Sequence, residues 1–261
     1  MANKDIHSTA IVHANVKIGK GVSIGPYTVV DENVVLEDNV CIESHCVITG
    51  HTVLGEGTKV FSGAVVGSDP QDKKHREEDE VYLEIGKNNV IREFVTINPG
   101  TIEGGTKTVI GDRNLIMAYC HVAHDCFIGN KCIMANAATL AGHVTLEDKA
   151  MIGGFGAIHQ FVRIGKLAII GGCSKVVQDV PPFSMCDGHP AKVMSINSVG
   201  LKRSETDSKV VRKLKQAFKI LFRSGLAKKT AINKIREDIE SCEEVDHLIN
   251  FANNSKRGLS R

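Results

Sequence analysis

The chain has no tryptophan, three tyrosines, nine phenylalanines and six prolines in 261 residues. A core of interlocking rings is excluded, so the apolar interior has to come from small aliphatic groups. There is no run of about 18 apolar residues to serve as a membrane-spanning helix. The opening residues, MANKDIHSTA, lack the apolar segment of a secretory signal. No P-loop, dinucleotide fingerprint or G-x-S-x-G elbow occurs, which leaves nucleotide hydrolysis and serine-hydrolase chemistry without support.

What the chain does have is glycine, 25 residues of it, and a period. Steps of six from Ile6 land on Val12, Ile18, Ile24, Val30, Leu36, Ile42, Ile48, Leu54, Val60 and Val66. The series resumes as Ile85, Ile91 and Ile97, then runs from Ile110 through Ile116, Val122, Ile128, Met134, Leu140, Leu146, Ile152, Ile158, Ile164 and Ile170 to Val176. Two positions before each of these the residue is again restricted, usually to Ala, Val, Thr, Cys or Ser. Two inward positions two residues apart describe a short strand, and a period of six fits neither an amphipathic helix nor a hairpin array. Three such flats make one triangular coil of about 18 residues. The large aliphatic is often followed by glycine, as at Gly25, Gly111 and Gly153, which we read as corners needing unusual backbone angles.

Eight cysteines invite a search for disulfides or zinc. Cys46, Cys120, Cys126 and Cys132 occupy the small inward position, and the last three fall on successive faces of the prism. They read as compact hydrophobes in a reduced, cytoplasmic protein, and no metal is expected.

Two stretches interrupt the period. One, at about 68–80, contains SDPQDKKHREEDE; the other, NPGTIEGGTK, spans 98–107. Such loops are solvated excursions or binding elements, and the pattern alone leaves both open. We expect a first domain, residues 1–186, formed by the prism, and a second, 187–261, formed by helices. Val210, Leu214, Phe218 and Leu221 have helical spacing, as do Ile232, Ile235 and Ile239, then Val245, Leu248 and Ile249. From Val199 onward about 15 Lys/Arg face 8 Asp/Glu, a net of +7 in a chain of overall charge +2. This basic appendage would suit nucleic acid, anionic lipid or an acidic protein.

The chemistry-bearing residues are histidines. AYCHVAHDCFIGN holds His121, His124 and Asp125, LAGHVTL holds His143, and AIHQFVRIG holds His159 and Gln160. Residues 18 apart stack on adjacent coils, so His124, Gly142 and Gln160 form one column beside Asp125 and His143. A histidine oriented by a carboxylate is a general base near neutrality. A glycine N–H one coil away is an oxyanion donor. Acyl transfer to an alcohol requires both.

The hexapeptides, together with QDKK, H-V-A-H-D, LAGHV, HQF, GGCSKVVQDVPPF and GLKRS, resemble the UDP-N-acetylglucosamine acyltransferases of lipid A synthesis over essentially the whole chain. The resemblance implies a mainly β, left-handed parallel β-helix with a C-terminal α-helical extension, assembled as a homotrimer without cofactor or metal. It implies transfer of a 3-hydroxyacyl chain from acyl carrier protein, held by the basic helices, to the 3-hydroxyl of UDP-N-acetylglucosamine. Neither nucleic acid nor a membrane span is involved. His124 would be the base, Asp125 its orienting partner and Gly142 the oxyanion donor. Gln71, Asp72, Lys74 and His121 would hold the glucosamine, the loop residues reaching an adjacent subunit's His124. His143 and His159 would line the cleft, with Gln160, Asn197 and Arg203 on the diphosphate and uridine. Gly172 resembles the acyl-chain gate, where glycine leaves room for a tail of about fourteen carbons or longer. Val199 stands where many members carry glutamate, and His189-Pro190 replaces an Asn-His pair. On the same repeat, an N-acyltransferase, an acetyl-CoA-dependent acetyltransferase, a zinc carbonic anhydrase and a non-catalytic scaffold are the rival expectations.

Overall fold

The computed structural model describes residues 5–260; residues 1–4 and 261, the outer limits of the two expected domains, lie outside the described residues. Strands mostly two residues long stack into three sheets of eleven, nine and eight strands, each strand pairing with the third one on. The chain visits the eleven-, nine- and eight-stranded faces in turn and then returns to the first. Partners are 18 residues apart, as Ser23↔Cys41, Val29↔Val47 and Lys17↔Val35 illustrate. The pitch read from the sequence is therefore the coil of the structure.

Alternation within each short strand turns the aliphatic series inward. Ile24, Ile42, Ile116 and Ile152 are all at most 1% exposed, and so are Val22, Val40 and Ala150 from the companion position. Burying each large aliphatic is worth about 1.5–3 kcal/mol, and the column continues for the length of the prism. Cys46, Cys120, Cys126 and Cys132 lie in it, each at most 1% exposed. Burial pushes the Cys46 and Cys120 thiols up to about 11 and the Cys126 and Cys132 thiols up to about 12. They are core groups with no thiolate to offer.

The expected role of the corner glycines needs correction. Of the glycines that follow a large aliphatic, Gly67 alone has a left-handed φ, at 90°. The left-handed angle falls two residues later in the turn, on Tyr27, Asn39, Asp125 or His143, for example. At Gly25 and Gly153 a Cβ would instead sit 2.7 Å from Glu43 C and 2.6 Å from Gly172 N in the coil above. Those glycines are there because adjacent coils approach too closely for a side chain.

The repeat also outlasts its sequence signal. After Val176 the chain omits two residues of the period: Val180 bridges Ile164, and Cys186 pairs with Ile170, each 16 residues on. Ser184–Gly188 then turns antiparallel into Ala191–Ile196, closing the eleven-stranded sheet. The expected domain change at 186/187 thus falls inside this hairpin, and the helices begin only at Ser198.

Four helices follow among the described residues: α1 Ser198–Arg203, α2 Ser208–Arg223, α3 Lys228–Asp238 and α4 Glu243–Asn253. The side chains of Asn197 and Asp207 cap the first two. Leu214, Phe218, Ile232, Ile235, Leu248 and Phe251 bury against one another and against Leu167 and Phe183 of the prism. No helix is long and apolar enough to cross a membrane.

Glu147 joins the two parts. Its carboxylate accepts from His247 Nε2 of α4 at 2.7 Å, from Lys166 N at 2.9 Å and from Arg163 at 3.3 Å. Burial raises its pKa, but these partners outweigh it and hold the group below the usual carboxylate value. A lowered folded pKa contributes stability above the unfolded value of about 4.3 and loses it as pH falls through the folded one. Glu147→Gln should therefore lower the melting temperature at pH 7 by about 4–8 °C, a loss of about 2 kcal/mol. The gap should close as the pH falls below 4, and a gap independent of pH would refute the assignment.

Candidate active site

Both insertions leave the prism at one edge, between the nine- and eight-stranded faces. The first follows Val65–Val66 and precedes Tyr82–Ile85; the second follows Thr96–Ile97 and precedes Lys107–Ile110. Register across them resumes with partners 31 and then 25 residues apart, so each insertion lengthens a corner without disturbing the strands. On the next coil the same edge carries Ala123–Cys126, between His121–Val122 and Phe127–Ile128. Ala141–Val144 and His159–Val162 lie above it. Two polar loops and the histidine column therefore share an edge.

His124 Nδ1 meets Asp125 Oδ2 at 2.7 Å. The Asp125 side chain is 1% exposed and that of His124 16%. A carboxylate can only accept, so Nδ1 carries the proton and Nε2 holds the lone pair. Nε2 has no hydrogen-bond partner among the described residues. The ring lies over Gly142: a Cβ there would be 2.5 Å from His124 Cε1 and 2.7 Å from Nε2. The Gly142 N–H also donates to nothing among the described residues. At the equivalent turn position on another edge this N–H is covered by a side chain from the coil above, as Lys20 N→Asp38 at 2.7 Å and Asn130 N→Asp148 at 2.7 Å show. Glycine at 142 with glutamine at 160 leaves the amide bare. An unprotonated base and an unused donor thus face one another across a corner.

A cleft of about 650 Å³ opens beside them, lined by Gln71, Asp72, Lys73, Lys74, Thr101, Glu103, His124, His143, Gln160 and Phe161. His143 stacks on Phe161 with centroids 4.4 Å apart and meets His124 edge-on at 5.2 Å. Burial lowers the His143 pKa, the positive His124 adding to that and the Asp125 and Asp72 carboxylates opposing it. His121 is lowered by burial and then by His124, and its Nδ1 is 2.7 Å from Thr96 Oγ1. Both rings are neutral hydrogen-bonding groups near pH 7. Lys74 pairs with Glu103 at 2.5 Å across the two insertions.

Ligand atoms of His124, Asp125 and His143 lie within 4.8 Å of one another, close enough to suggest a cation. The donors are already committed. Both Asp125 oxygens accept from Thr101, and Oδ2 bonds His124 directly, so a cation would have to break the dyad to enter.

The family model described as Udp N-acetylglucosamine O-acyltransferase; Domain 2 matches residues 179–260, and the bacterial transferase hexapeptide model matches 15–50 and 107–142. The acyl-[acyl-carrier-protein]--UDP-N-acetylglucosamine O-acyltransferase of Myxococcus xanthus is 52% identical over 256 residues, covering 98% of this chain and 99% of that protein. The chain belongs to the UDP-N-acetylglucosamine O-acyltransferase family. The solved UDP-N-acetylglucosamine acyltransferase from Campylobacter jejuni superposes with a TM-score of 0.93 at 42% identity, covering 98% of this chain and 99% of that one. One from Acinetobacter baumannii gives 0.94 at 39%, again over 98% and 99%. The left-handed parallel β-helix expected from the hexapeptides is the fold of this family.

Within this UDP-N-acetylglucosamine O-acyltransferase the expected residues separate into groups. Gln71, Asp72, Lys74, His124, His143 and Gln160 line one cleft of one chain. That corrects the expectation that the first loop reaches an adjacent subunit's His124: the loop springs from the edge carrying its own chain's histidine. His121 lies one turn position away on the nine-stranded face, and His159 is exposed beside Gln160. Asn197 and Arg203 are at the two ends of α1, outside this cleft. The Asn197 amide caps Gly200 N and donates to Leu167 O, so it is occupied within the chain. Gly172 stands on a different edge, where a Cβ would meet nothing nearer than Gly154 O at 3.4 Å. The sequence reading missed Thr101, Glu103 and Phe161. Phe161 could have been found by adding 18 to His143, but the second insertion breaks the count for the other two.

Proposed function

We propose that the chain transfers a 3-hydroxyacyl group from acyl carrier protein to the glucosamine 3-hydroxyl of UDP-N-acetylglucosamine, the opening step of lipid A synthesis, with His124 as general base. The observation that carries this is the free Nε2 of His124, held by Asp125 through Nδ1 and facing the bare Gly142 amide. Nε2 takes the proton of the sugar hydroxyl as its oxygen attacks the thioester carbon. Negative charge gathers on the thioester oxygen, where the Gly142 N–H can donate to it. Collapse breaks the carbon–sulfur bond, and the imidazolium returns its proton to the departing thiolate. The products are an ester and a free phosphopantetheine thiol.

The neutral His121 and His143, with Asp72 and Lys74, would bind the sugar without placing a second cation beside the base. Asn197, Arg203 and Gly172 reach the same substrate only if another copy brings its own edge against this cleft, which supports a trimer with shared sites. The basic α2, with Lys209, Arg212, Lys213, Lys215, Lys219 and Arg223, suits an acidic carrier protein. The reduced core thiols fit a cytoplasmic setting.

One experiment tests the assignment. Purified protein is sized by light scattering, then given UDP-N-acetylglucosamine and 3-hydroxyacyl carrier proteins with chains of about ten and fourteen carbons. The expected outcome is an O-acylated sugar nucleotide by mass spectrometry, made by a three-copy species and faster from the longer donor. Absence of ester from both donors would overturn the function, and turnover by a single-copy species would overturn the shared site.

A further inference from the structure

Asp125 sits at a corner in the left-handed region, φ 58°, with its side chain 1% exposed. A carboxylate buried this far needs several donors, and His124 supplies one of them. The other two come from a single residue of the second insertion. Thr101 N–H donates to Asp125 Oδ1 at 2.9 Å, and Thr101 Oγ1 donates to Oδ2 at 2.7 Å. Thr101 is itself 7% exposed and tied down. Its carbonyl accepts from Gly104 N at 3.1 Å and Thr106 N at 2.8 Å, and its hydroxyl oxygen accepts from Gly104 N at 3.1 Å. The one hydroxyl hydrogen therefore faces the carboxylate. Gly104 closes over the same group so tightly that a Cβ on it would overlap Asp125 Cγ and both oxygens.

A second histidine competes for this carboxylate. His143 Nε2 stands 3.7 Å from Asp125 Oδ2, against 2.7 Å for His124 Nδ1. A modest swing of the carboxylate would exchange one ring for the other and free His124 to turn. With both oxygens anchored, that swing is blocked.

We propose that Thr101 is a positioning residue for acyl transfer: it locks Asp125 onto His124 rather than His143, and the 98–107 insertion is present to deliver it. This rests on the acyl-transfer assignment. Thr101 acts through Asp125, so its loss changes the chemical step rather than sugar binding.

The test compares Thr101→Val, which keeps shape and backbone N–H but removes the hydroxyl, with Thr101→Ser, which keeps the hydroxyl. Thr101→Val should lower kcat by about ten- to a hundredfold, with KM for UDP-N-acetylglucosamine within about twofold. Thr101→Ser should recover most of the rate. In an Asp125→Ala background Thr101→Val should have no further effect, because the group it positions is gone. Melting curves accompany each rate; should the valine variant melt early, Thr101→Ala takes its place in the cycle and the same outcomes decide. A valine variant within about threefold of the parent, or one that lowers the rate equally without Asp125, overturns the positioning role. A parent protein that makes no ester overturns the function itself, so the two failures are distinct.

Discussion

Replacing His124 by alanine should lower kcat by about 10²–10⁴-fold, which is about 3–5.5 kcal/mol of transition-state stabilisation. The protein should stay folded. His124 projects from a corner, outside the aliphatic column, and Asp125 keeps both donations from Thr101 when the ring is gone. The loss should appear in kcat with little change in KM, because the base acts on a proton in flight and the cleft wall contributed by Gln71–Lys74 and Gln160 is untouched. The measurement is steady-state turnover with acyl carrier protein donor, alongside a melting curve. Retention of more than a third of the parent rate would remove His124 from the chemistry and leave the scaffold reading in possession.

Gly142→Ala carries the second large effect, and its two consequences have opposite signs. Gly142 has an ordinary φ, so the backbone accepts alanine, and lost freedom in the unfolded chain should stabilise the fold by about 0.4–1 kcal/mol. The added methyl, however, would lie 2.5 Å from His124 Cε1 and 2.7 Å from Nε2. The ring has to turn away, loosening its bond to Asp125 and covering the bare amide. A displacement of about 1 Å in a catalytic group lowers the rate by about 10²-fold, and that is the expected loss. Combined with His124→Ala, the substitution should cost less than it does alone, because no ring remains to displace. A variant that melts later and turns over slowly would establish the geometry; one with parental turnover would show that the ring does not rest on Gly142.

The period of six made most of this legible. It located the inward residues, the coil of 18 and the column of His124, Gly142 and Gln160, because a parallel ladder converts sequence distance directly into height. It failed wherever the count slips. Thr101 lies inside an insertion, so no multiple of 18 connects it to Asp125. Val180 and Cys186 come two residues early, so the coil looked finished at Val176. The hairpin Ser184–Ile196 and the six-residue α1 are too short to show any periodicity. The corner glycines were visible but misread: crowding between coils and a left-handed φ both select glycine, and only coordinates distinguish them. The separation of Gly172, Asn197 and Arg203 from the cleft could not be seen at all, since a linear string does not say which edge faces a neighbour.

The even stacking of coils also fixes what kinds of change the molecule can absorb. Removing 18 residues below the first insertion would shorten the prism by one storey, about 4.8 Å, and return every later side chain to its own compass bearing. Removing one residue would leave the height nearly unchanged and rotate every later strand out of phase, turning Val122 and Ile128 toward water. For this architecture, whole turns are interchangeable parts, whereas a single-residue frameshift is the lesion it cannot accommodate.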